Sequence, residues 1–276
     1  MNGKTDLIFG CTGQDGSFLC KSLLEKGHNL IGLSRKTKDQ FINHQRLGIE
    51  KEFEIIKGDL VNLNVIENII ERYKPNNIYN LAAQSSVGIS VIRPIDTIQG
   101  IILGTLNLLE SCKKLDYRGN IFFAGSSEMF GNTLIPASVD HQQKPKSPYG
   151  IGKQTSFNLV KFYREYHNLK ARTGILYNHE SHLRNENFVT QKIIRSAKKI
   201  KKDRNLKLTL GNVEIIRDWG WAPEYMEAVQ LVTESKNIKD YIICSGTSHP
   251  LKIFIEKVFD YYSLNWKNHI VIDQSL

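Results

Sequence analysis

The 276-residue sequence has only four cysteines, Cys11, Cys20, Cys112 and Cys244, and no two are spaced as CxxC. Each lies in an apolar or glycine-rich stretch, which offers neither a disulfide framework nor a zinc site. No uninterrupted apolar run is long enough to span a bilayer. The opening residues, MNGKTD, lack the apolar core of a secretion signal. No metal, no membrane partner and a reducing cytoplasm are the expectations. Repeats, low-complexity tracts and obvious linkers are missing too. So are zinc-finger, helix-turn-helix and RNP-type signatures, which matters because the net charge of +9 could otherwise point to nucleic acid. The densest basic run is Lys198, Lys199, Lys201, Lys202 and Arg204. Ile193, Ile194, Ala197 and Ile200 interleave with it at helical spacing, so it reads as the wet face of an amphipathic helix. No nucleic-acid partner is expected.

What is present is enough apolar residue, 41% of the chain, for a proper core. Short apolar runs alternate with longer amphipathic ones. Strands are predicted at Asp6–Phe9, Asn29–Ser34, Phe53–Lys57, Asn77–Leu81, Asn120–Ala124 and Ala171–Tyr177. Helices are predicted at Ser17–Lys26, Leu63–Tyr73, Thr97–Lys114 and Pro148–His167. Such β-α alternation argues for a parallel sheet covered on both faces. After about Asn178 the pattern loosens. Helices are predicted at Phe188–Lys202, Pro223–Glu234 and Leu251–Tyr262, with short strands at Lys207–Leu210 and Tyr241–Cys244. The expected fold class is α/β, a doubly wound parallel sheet over residues 1–178. A smaller substrate-binding lobe over residues 179–276 is partly interleaved with it.

The first strand runs into Gly10, Cys11, Thr12, Gly13, Gln14, Asp15 and Gly16, and a helix follows. Glycine permits the tight turn and lets backbone N–H groups approach a pyrophosphate, while the helix turns its positive end to the anion. Between a strand and a helix, this spacing is the signature of a Rossmann-type dinucleotide site. An NAD enzyme usually carries an acidic residue at the end of the second strand. Ser34, Arg35 and Lys36 stand there instead. Arg35 could grip a 2′-phosphate, which predicts NADP; the plainer alternative is a surface arginine. Asp59 and Leu60 end the third strand, where a carboxylate can accept from the adenine amino group; an ordinary turn aspartate is the alternative. Leu81, Ala82, Ala83, Gln84 and Ser85 follow the fourth, small enough for the nicotinamide ribose to come close.

Tyr149 and Lys153 stand four apart at the start of a predicted helix and so share a face. An ammonium beside a phenol favours the phenolate, making tyrosine a usable base. Ser126, at the end of the fifth strand, is placed to hydrogen-bond the oxygen that Tyr149 deprotonates. These three are the minimum set for moving a hydride between a carbinol carbon and nicotinamide. Ser127 and Glu128 come next. Alcohol oxidation needs no carboxylate there, but removing a proton from carbon beside a new ketone does. Glu128 therefore suggests oxidation followed by elimination; a capping or surface glutamate is the bland alternative.

The segments GCTGQDGSFL, NLAAQSSVGIS, GSSEMFG, SPYGIGK, YNHESHLRNENFVTQKI and RDWGWAPEYMEAV together resemble the GDP-mannose 4,6-dehydratases. The likeness runs from Leu7 to about Tyr262. It implies a redox-neutral hydro-lyase with tightly held NADP, which turns GDP-mannose into GDP-4-dehydro-6-deoxy-mannose for deoxysugar synthesis. Tyr149 would act on the C4 hydroxyl and Glu128 on the C5 proton. Ser126 replaces the family's usual Thr and keeps the hydroxyl. The resemblance places His179 and Arg184 near the cofactor, and Ser85, Asn178, Lys192, Gly211 and Arg217 on the substrate side. It also implies a homodimer or homotetramer. Ser86, His182 and Gln191 depart from the family's usual His, Pro and Arg. The family continues for several dozen residues past the position of Leu276, including an Arg-Pro segment that holds the nucleotide. A dehydratase, epimerase or reductase acting on another nucleotide sugar, and a catalytically impaired NADP-binding relative, remain the alternatives.

Overall fold

The computed structural model describes residues 3–273. Its strands are β1 (Thr5–Phe9), β2 (Asn29–Ser34), β3 (Glu54–Lys57), β4 (Asn77–Asn80), β5 (Asn120–Ser126), β6 (Lys170–Leu176), β7 (Asn178–Glu180), β8 (Leu208–Leu210), β9 (Ile216–Trp221), β10 (Tyr241–Ile243), β11 (Ser248–Pro250) and β12 (Ile270–Ile272). Its helices are α1 (Gln14–Glu25), α2 (Ile42–Leu47), α3 (Leu63–Tyr73), α4 (Val87–Ile92), α5 (Pro94–Ile98), α6 (Gly104–Lys114), α7 (Pro148–His167), α8 (Val189–Lys202), α9 (Ala222–Glu234) and α10 (Leu251–Tyr261).

The chain divides into two compact units. Met1–Tyr177 and Ala222–Ile243 form the first, Asn178–Trp221 and Cys244–Leu276 the second. In the first, seven strands make one sheet in the order β10-β6-β5-β4-β1-β2-β3, every pair parallel. Leu7, Ile8, Phe9, Ile78, Ile121 and Phe122 are all but inaccessible. Strands buried on both faces need such continuous apolar runs. On one face, Ile66, Ile69 and Ile70 of α3 meet Leu108, Leu109 and Cys112 of α6 in a single core. Helix α3 begins where the Asn62 side chain accepts from Val65 N–H. It stops at Lys74, in the left-handed region with φ 44, because α geometry is crowded before Pro75. Among the described residues, no helix is long and apolar enough to cross a membrane.

Two differences from the sequence reading have physical causes. The stretch read as one helix over Thr97–Lys114 is three segments: α5, a π-helical turn at Gln99–Leu103, and α6. The Ile101 carbonyl accepts from Thr105 Oγ1 at 2.7 Å and from Ser156 Oγ of α7 at 3.2 Å. A Cβ on Gly152 of α7 would lie 3.2–3.4 Å from the Ile101 side chain. Contact with α7 rewards the wider turn, and apolar periodicity does not separate the two helix types. The second concerns where the expected interleaving falls: α9 and β10 are the elements that belong to the first unit. β10 extends the sheet beside β6, and Gln230 of α9 bonds Ser22 and Lys26 at α1.

Asp240 secures that return. Its carboxylate takes both arms of the Arg164 guanidinium, at 2.8 and 2.7 Å, and accepts from Thr173 N–H at 2.8 Å. Arg164 lies on α7 and Thr173 on β6, so one carboxylate ties the helix to the sheet. Both side chains of the pair are largely buried. Asp240→Ala leaves a buried guanidinium without its partner and should lower the unfolding free energy by about 3–5 kcal/mol. Urea denaturation checks this; a midpoint equal to that of the parent protein would refute it.

In the second unit β9 lies between β7, parallel, and β11, antiparallel, while β8 pairs with β12. Ile193, Ala197 and Ile200 of α8 pack with Leu251, Ile255 and Phe259 of α10. This is the inner side of the helix whose wet face carries the basic run.

Candidate active site

The sheet order reverses beside β1: β2 lies on one side and β4 on the other. At such a switch point the loops leaving the strands diverge and open a crevice. Gly10, just past β1, has φ +79, and a Cβ on it would lie 2.9 Å from Ala82 backbone atoms. A Cβ on Gly16 would lie 2.3 Å from Gly10 O and 2.6 Å from Cys11 Cα. The chain's own packing therefore requires both glycines. Gly13 differs: it is exposed, and the nearest neighbour of an added Cβ would be Gly10 O at 3.4 Å, an ordinary contact. Gly13 is also the N-cap of α1 and offers no capping side chain. A helix start that exposes its N–H groups and keeps a side chain out of the way fits an anion pressed against the backbone. This observation fits the loop to a dinucleotide's pyrophosphate.

A cavity of about 640 Å³ opens at this crevice, within the usual range of ligand pockets. Of the residues expected to hold a cofactor, Gly10, Thr12, Gly13, Arg35, Asp59, Leu60, Leu81, Ala82, Ala83 and Gln84 line it. Lys36, Arg93, Asp96, Thr97, Gln99 and Gly100 line it too. Lys36 is expected beside Arg35, but the sequence reading gives the others no role at the site, and the π-helical turn that presents Gln99 and Gly100 is invisible to periodicity. Gly100, inside an apolar helical pattern, was the one available signal. At the rim Arg35 Nη1 lies 3.6 Å from Asp59 Oδ2. The Ser34 hydroxyl pairs with Thr12 Oγ1 at 3.2 Å and accepts from Lys36 N–H at 3.1 Å. The end of β2 thus presents two cations and no carboxylate of its own.

Cys11, Gln14, Asp15, Gly16 and Ser85 are not among the residues lining the cavity. A Cβ on Gly32 of β2 would lie 2.6 Å from the Cys11 thiol, which packs against that strand. Burial pushes this thiol up to about 12, so it stays protonated. Gln14 Nε2 donates to Asp15 Oδ1 at 2.9 Å in the first turn of α1. Ser85 is exposed.

The expected catalytic side chains converge at the end of β5. That strand runs three residues past its pairing with β4, through Ala124, Gly125 and Ser126. Ser126 Oγ accepts from Glu128 N–H at 3.3 Å, which leaves the hydroxyl hydrogen to donate elsewhere. Ser127, Glu128 and Met129 form a single 3₁₀ turn, with Glu128 half-buried. Helix α7 starts at Ser147, whose hydroxyl accepts from Gly150 N–H at 3.0 Å, and Pro148 takes the first position. Both are strong start signals. Tyr149 and Lys153 therefore occupy the first two turns, and both are buried. A Cβ on Gly150 would stand 2.7 Å from Glu128 O, so that glycine lets α7 press against the turn carrying the carboxylate. Lys153 Nζ donates to Ala124 O at 2.7 Å. It lies 5.0 Å from the centre of the Phe123 ring and 5.7 Å from that of Tyr149. Burial lowers this ammonium to about 8, with the Asp15 carboxylate opposing the shift. A buried base carrying a labile proton beside a phenol is the arrangement expected of a proton-transfer site.

The remaining expected residues lie in the second unit. His179, on β7, is buried, and Arg184 donates to its carbonyl. Arg184 also pairs with Glu180 at 3.1 Å and lies 4.5 Å over the Phe188 ring. These residues therefore form one cluster. Lys192, exposed on α8, donates to Thr209 O at 2.9 Å, near Gly211 past the end of β8. Asn178 pairs with Trp219 across β7 and β9, and Arg217 is exposed two residues earlier on β9. Among the described residues, no group of three or more His, Cys, Asp or Glu could hold a metal ion.

Comparison with known proteins identifies the family. The family model described as GDP-mannose 4,6 dehydratase matches residues 7–275. GDP-mannose 4,6 dehydratase 1 of Arabidopsis thaliana is 39% identical over 98% of this chain and 78% of its own length. The Homo sapiens GDP-mannose 4,6 dehydratase is 38% identical over 92% of this chain and 71% of its own. Among solved structures, dTDP-glucose 4,6-dehydratase from Bacillus anthracis, in complex with NAD, superimposes with a TM-score of 0.85. It shares 18% identity over 98% of this chain and 85% of that one, a likeness of fold alone.

Proposed function

The chain belongs to the GDP-mannose 4,6-dehydratase family, and from that premise we propose that it dehydrates GDP-mannose to GDP-4-dehydro-6-deoxy-mannose, using a bound NADP. The observation that carries the reading is the turn at Ser126–Glu128. Its backbone packs against the helix start that bears Tyr149 and Lys153, and the turn carries the Glu128 carboxylate.

The Lys153 ammonium favours the Tyr149 phenolate, which takes the proton of the C4 hydroxyl. Ser126 donates to the same oxygen and fixes the sugar's orientation. The dinucleotide, when bound, supplies a hydride acceptor for C4 and later the hydride donor for C6. The new C4 ketone acidifies C5–H, and Glu128 takes that proton. Of the two protons then held at Tyr149 and Glu128, one leaves with the C6 hydroxyl as water and the other returns to C5. Atoms and charge balance with the loss of one water.

The cofactor is a nicotinamide dinucleotide, and Arg35 with Lys36 at the cavity rim favours NADP. A 2′-phosphate near Arg35 would replace a half-exposed ion pair to Asp59 with a bidentate grip. Arg35→Ala should then weaken NADP+ binding by about 10- to 100-fold and leave NAD+ nearly unchanged. Equal losses for both, measured by titration calorimetry, would rule out the 2′-phosphate role.

Incubation with GDP-mannose and NADP+, read by mass spectrometry, tests the whole reading. Loss of one water from the sugar nucleotide is the expected result. Product from another nucleotide sugar and none from GDP-mannose would overturn the choice of substrate.

A further inference from the structure

Helix α2 lies behind the glycine loop and touches it at two points. His44, fully buried, places Nε2 2.8 Å from the carbonyl oxygen of Cys11. Asn43 Nδ2 reaches the Thr12 carbonyl at 3.4 Å. A carbonyl only accepts, so the hydrogen sits on Nε2 and the neutral ring leaves Nδ1 bare. Nδ1 has no hydrogen-bond partner among the described residues. The ring is packed between Phe41 and Phe53, with centroids 5.6 and 5.4 Å away. An apolar box tolerates a bare lone pair better than a second N–H, and burial accordingly holds this imidazole below its ordinary pKa.

We infer that His44 is a positioning residue for the dinucleotide: by anchoring the Cys11 carbonyl it orients the Cys11–Thr12 peptide, and so turns the Thr12 N–H toward the ligand cavity. The carbonyl and N–H of a trans peptide point in opposite directions in one rigid plane. Holding the oxygen inward, against α2, therefore directs the N–H outward, and Thr12 lines the cavity. Ser17 Oγ of α1 has a single hydrogen, which goes to the Gly13 carbonyl at 2.6 Å rather than to this oxygen at 3.2 Å. The His44 N–H is therefore the firm donor that holds the plane, while Gly10 and Gly13 on either side would otherwise let it swing. Stiffness in the flexible part of the loop thus comes from a distant short helix. The inference rests on the reading that this loop meets a dinucleotide.

The test uses the full chain with NADP+ and ADP-ribose, which share the adenosine pyrophosphate. His44→Leu should raise both dissociation constants by about tenfold. His44→Gln, whose amide N–H reaches a similar point, should restore them to within about threefold. In the ligand-free protein, amides 10–14 should exchange faster in His44→Leu than in the parent. His44→Phe, which keeps a ring between Phe41 and Phe53 but removes the donor, should weaken both ligands as well and serves should His44→Leu fail to fold. Parent-like affinity and exchange in His44→Leu overturn the inference. So does a Gln variant as weak as Leu, since packing alone would then matter. A parent protein that binds neither NADP+ nor NAD+, while its loop still loosens in His44→Leu, overturns the dinucleotide reading and leaves the positioning role standing.

Discussion

Glu128→Gln should oxidise its substrate and go no further. The amide keeps the size and the hydrogen-bonding edge of the carboxylate but cannot take a proton from C5. Positioned acid–base groups contribute roughly 10²- to 10⁴-fold, so dehydration should fall by about that factor. Little structural disturbance is expected. The Glu128 side chain is only half-buried, and the turn is held by its backbone, through Glu128 N–H to Ser126 and the close approach of Glu128 O to Gly150. In a single turnover the variant should accumulate reduced nicotinamide and the 4-keto sugar, seen by near-ultraviolet absorbance and mass spectrometry. The parent enzyme returns its hydride and accumulates neither. In deuterated water the parent should place deuterium at C5 of the product. Dehydration at the parental rate would remove Glu128 from the mechanism; loss of oxidation as well would make it a residue of substrate binding.

Lys153→Met should produce a more stable and nearly inactive protein. Lys153 is buried, and desolvation lowers it to about 8 from 10.5. In the unfolded chain the ammonium keeps its water, so near neutral pH the unfolded state binds the proton more tightly than the native state does. The charge therefore destabilises the fold there by up to about 3 kcal/mol. The unfolded state binds more protons between the two pKa values, so parental stability rises from about pH 8 toward 10.5. A methionine of similar length escapes the penalty but leaves Ala124 O without its 2.7 Å donor, which offsets about 1 kcal/mol or more of the gain. The net expectation at pH 7 is about 1–2 kcal/mol of added stability, shrinking as pH climbs through that window. Activity should fall by about 10²-fold or more, because the phenolate of Tyr149 loses its cation. Denaturant unfolding at several pH values, alongside the dehydration rate, tests both halves. Lower stability in the variant at pH 7 would show that the hydrogen bond outweighs the buried charge.

The same residues show how far sequence and structure each reach. The parallel strands were legible because a strand covered on both faces must be apolar throughout, as at Leu7–Phe9 and Ile121–Phe123. The glycine loop was legible because only glycine can hold φ +79 at Gly10 with Ala82 so close. Tyr149 and Lys153 were legible as a pair because helical spacing puts them on one face. These are local rules, carried by residue type and spacing, and they sufficed for the α/β class and the expected chemistry. Other features depend on neighbours far apart in the chain. Nothing local marks the π-helical turn at Gln99–Leu103, which answers to α7, or the return of Ala222–Ile243 to the first unit, which answers to α1 and β6. His44 looks like any histidine in a short polar stretch until α2 folds behind the Cys11 carbonyl. Gly13 could be distinguished from Gly10 and Gly16 only when each was seen against its surroundings. The sequence by itself determined the main alternating strands and helices and which groups can react, since those follow from torsions, spacing and side-chain chemistry. Only the tertiary structure decided which groups are held, desolvated and aimed, because burial and hydrogen-bond geometry arise where distant segments meet.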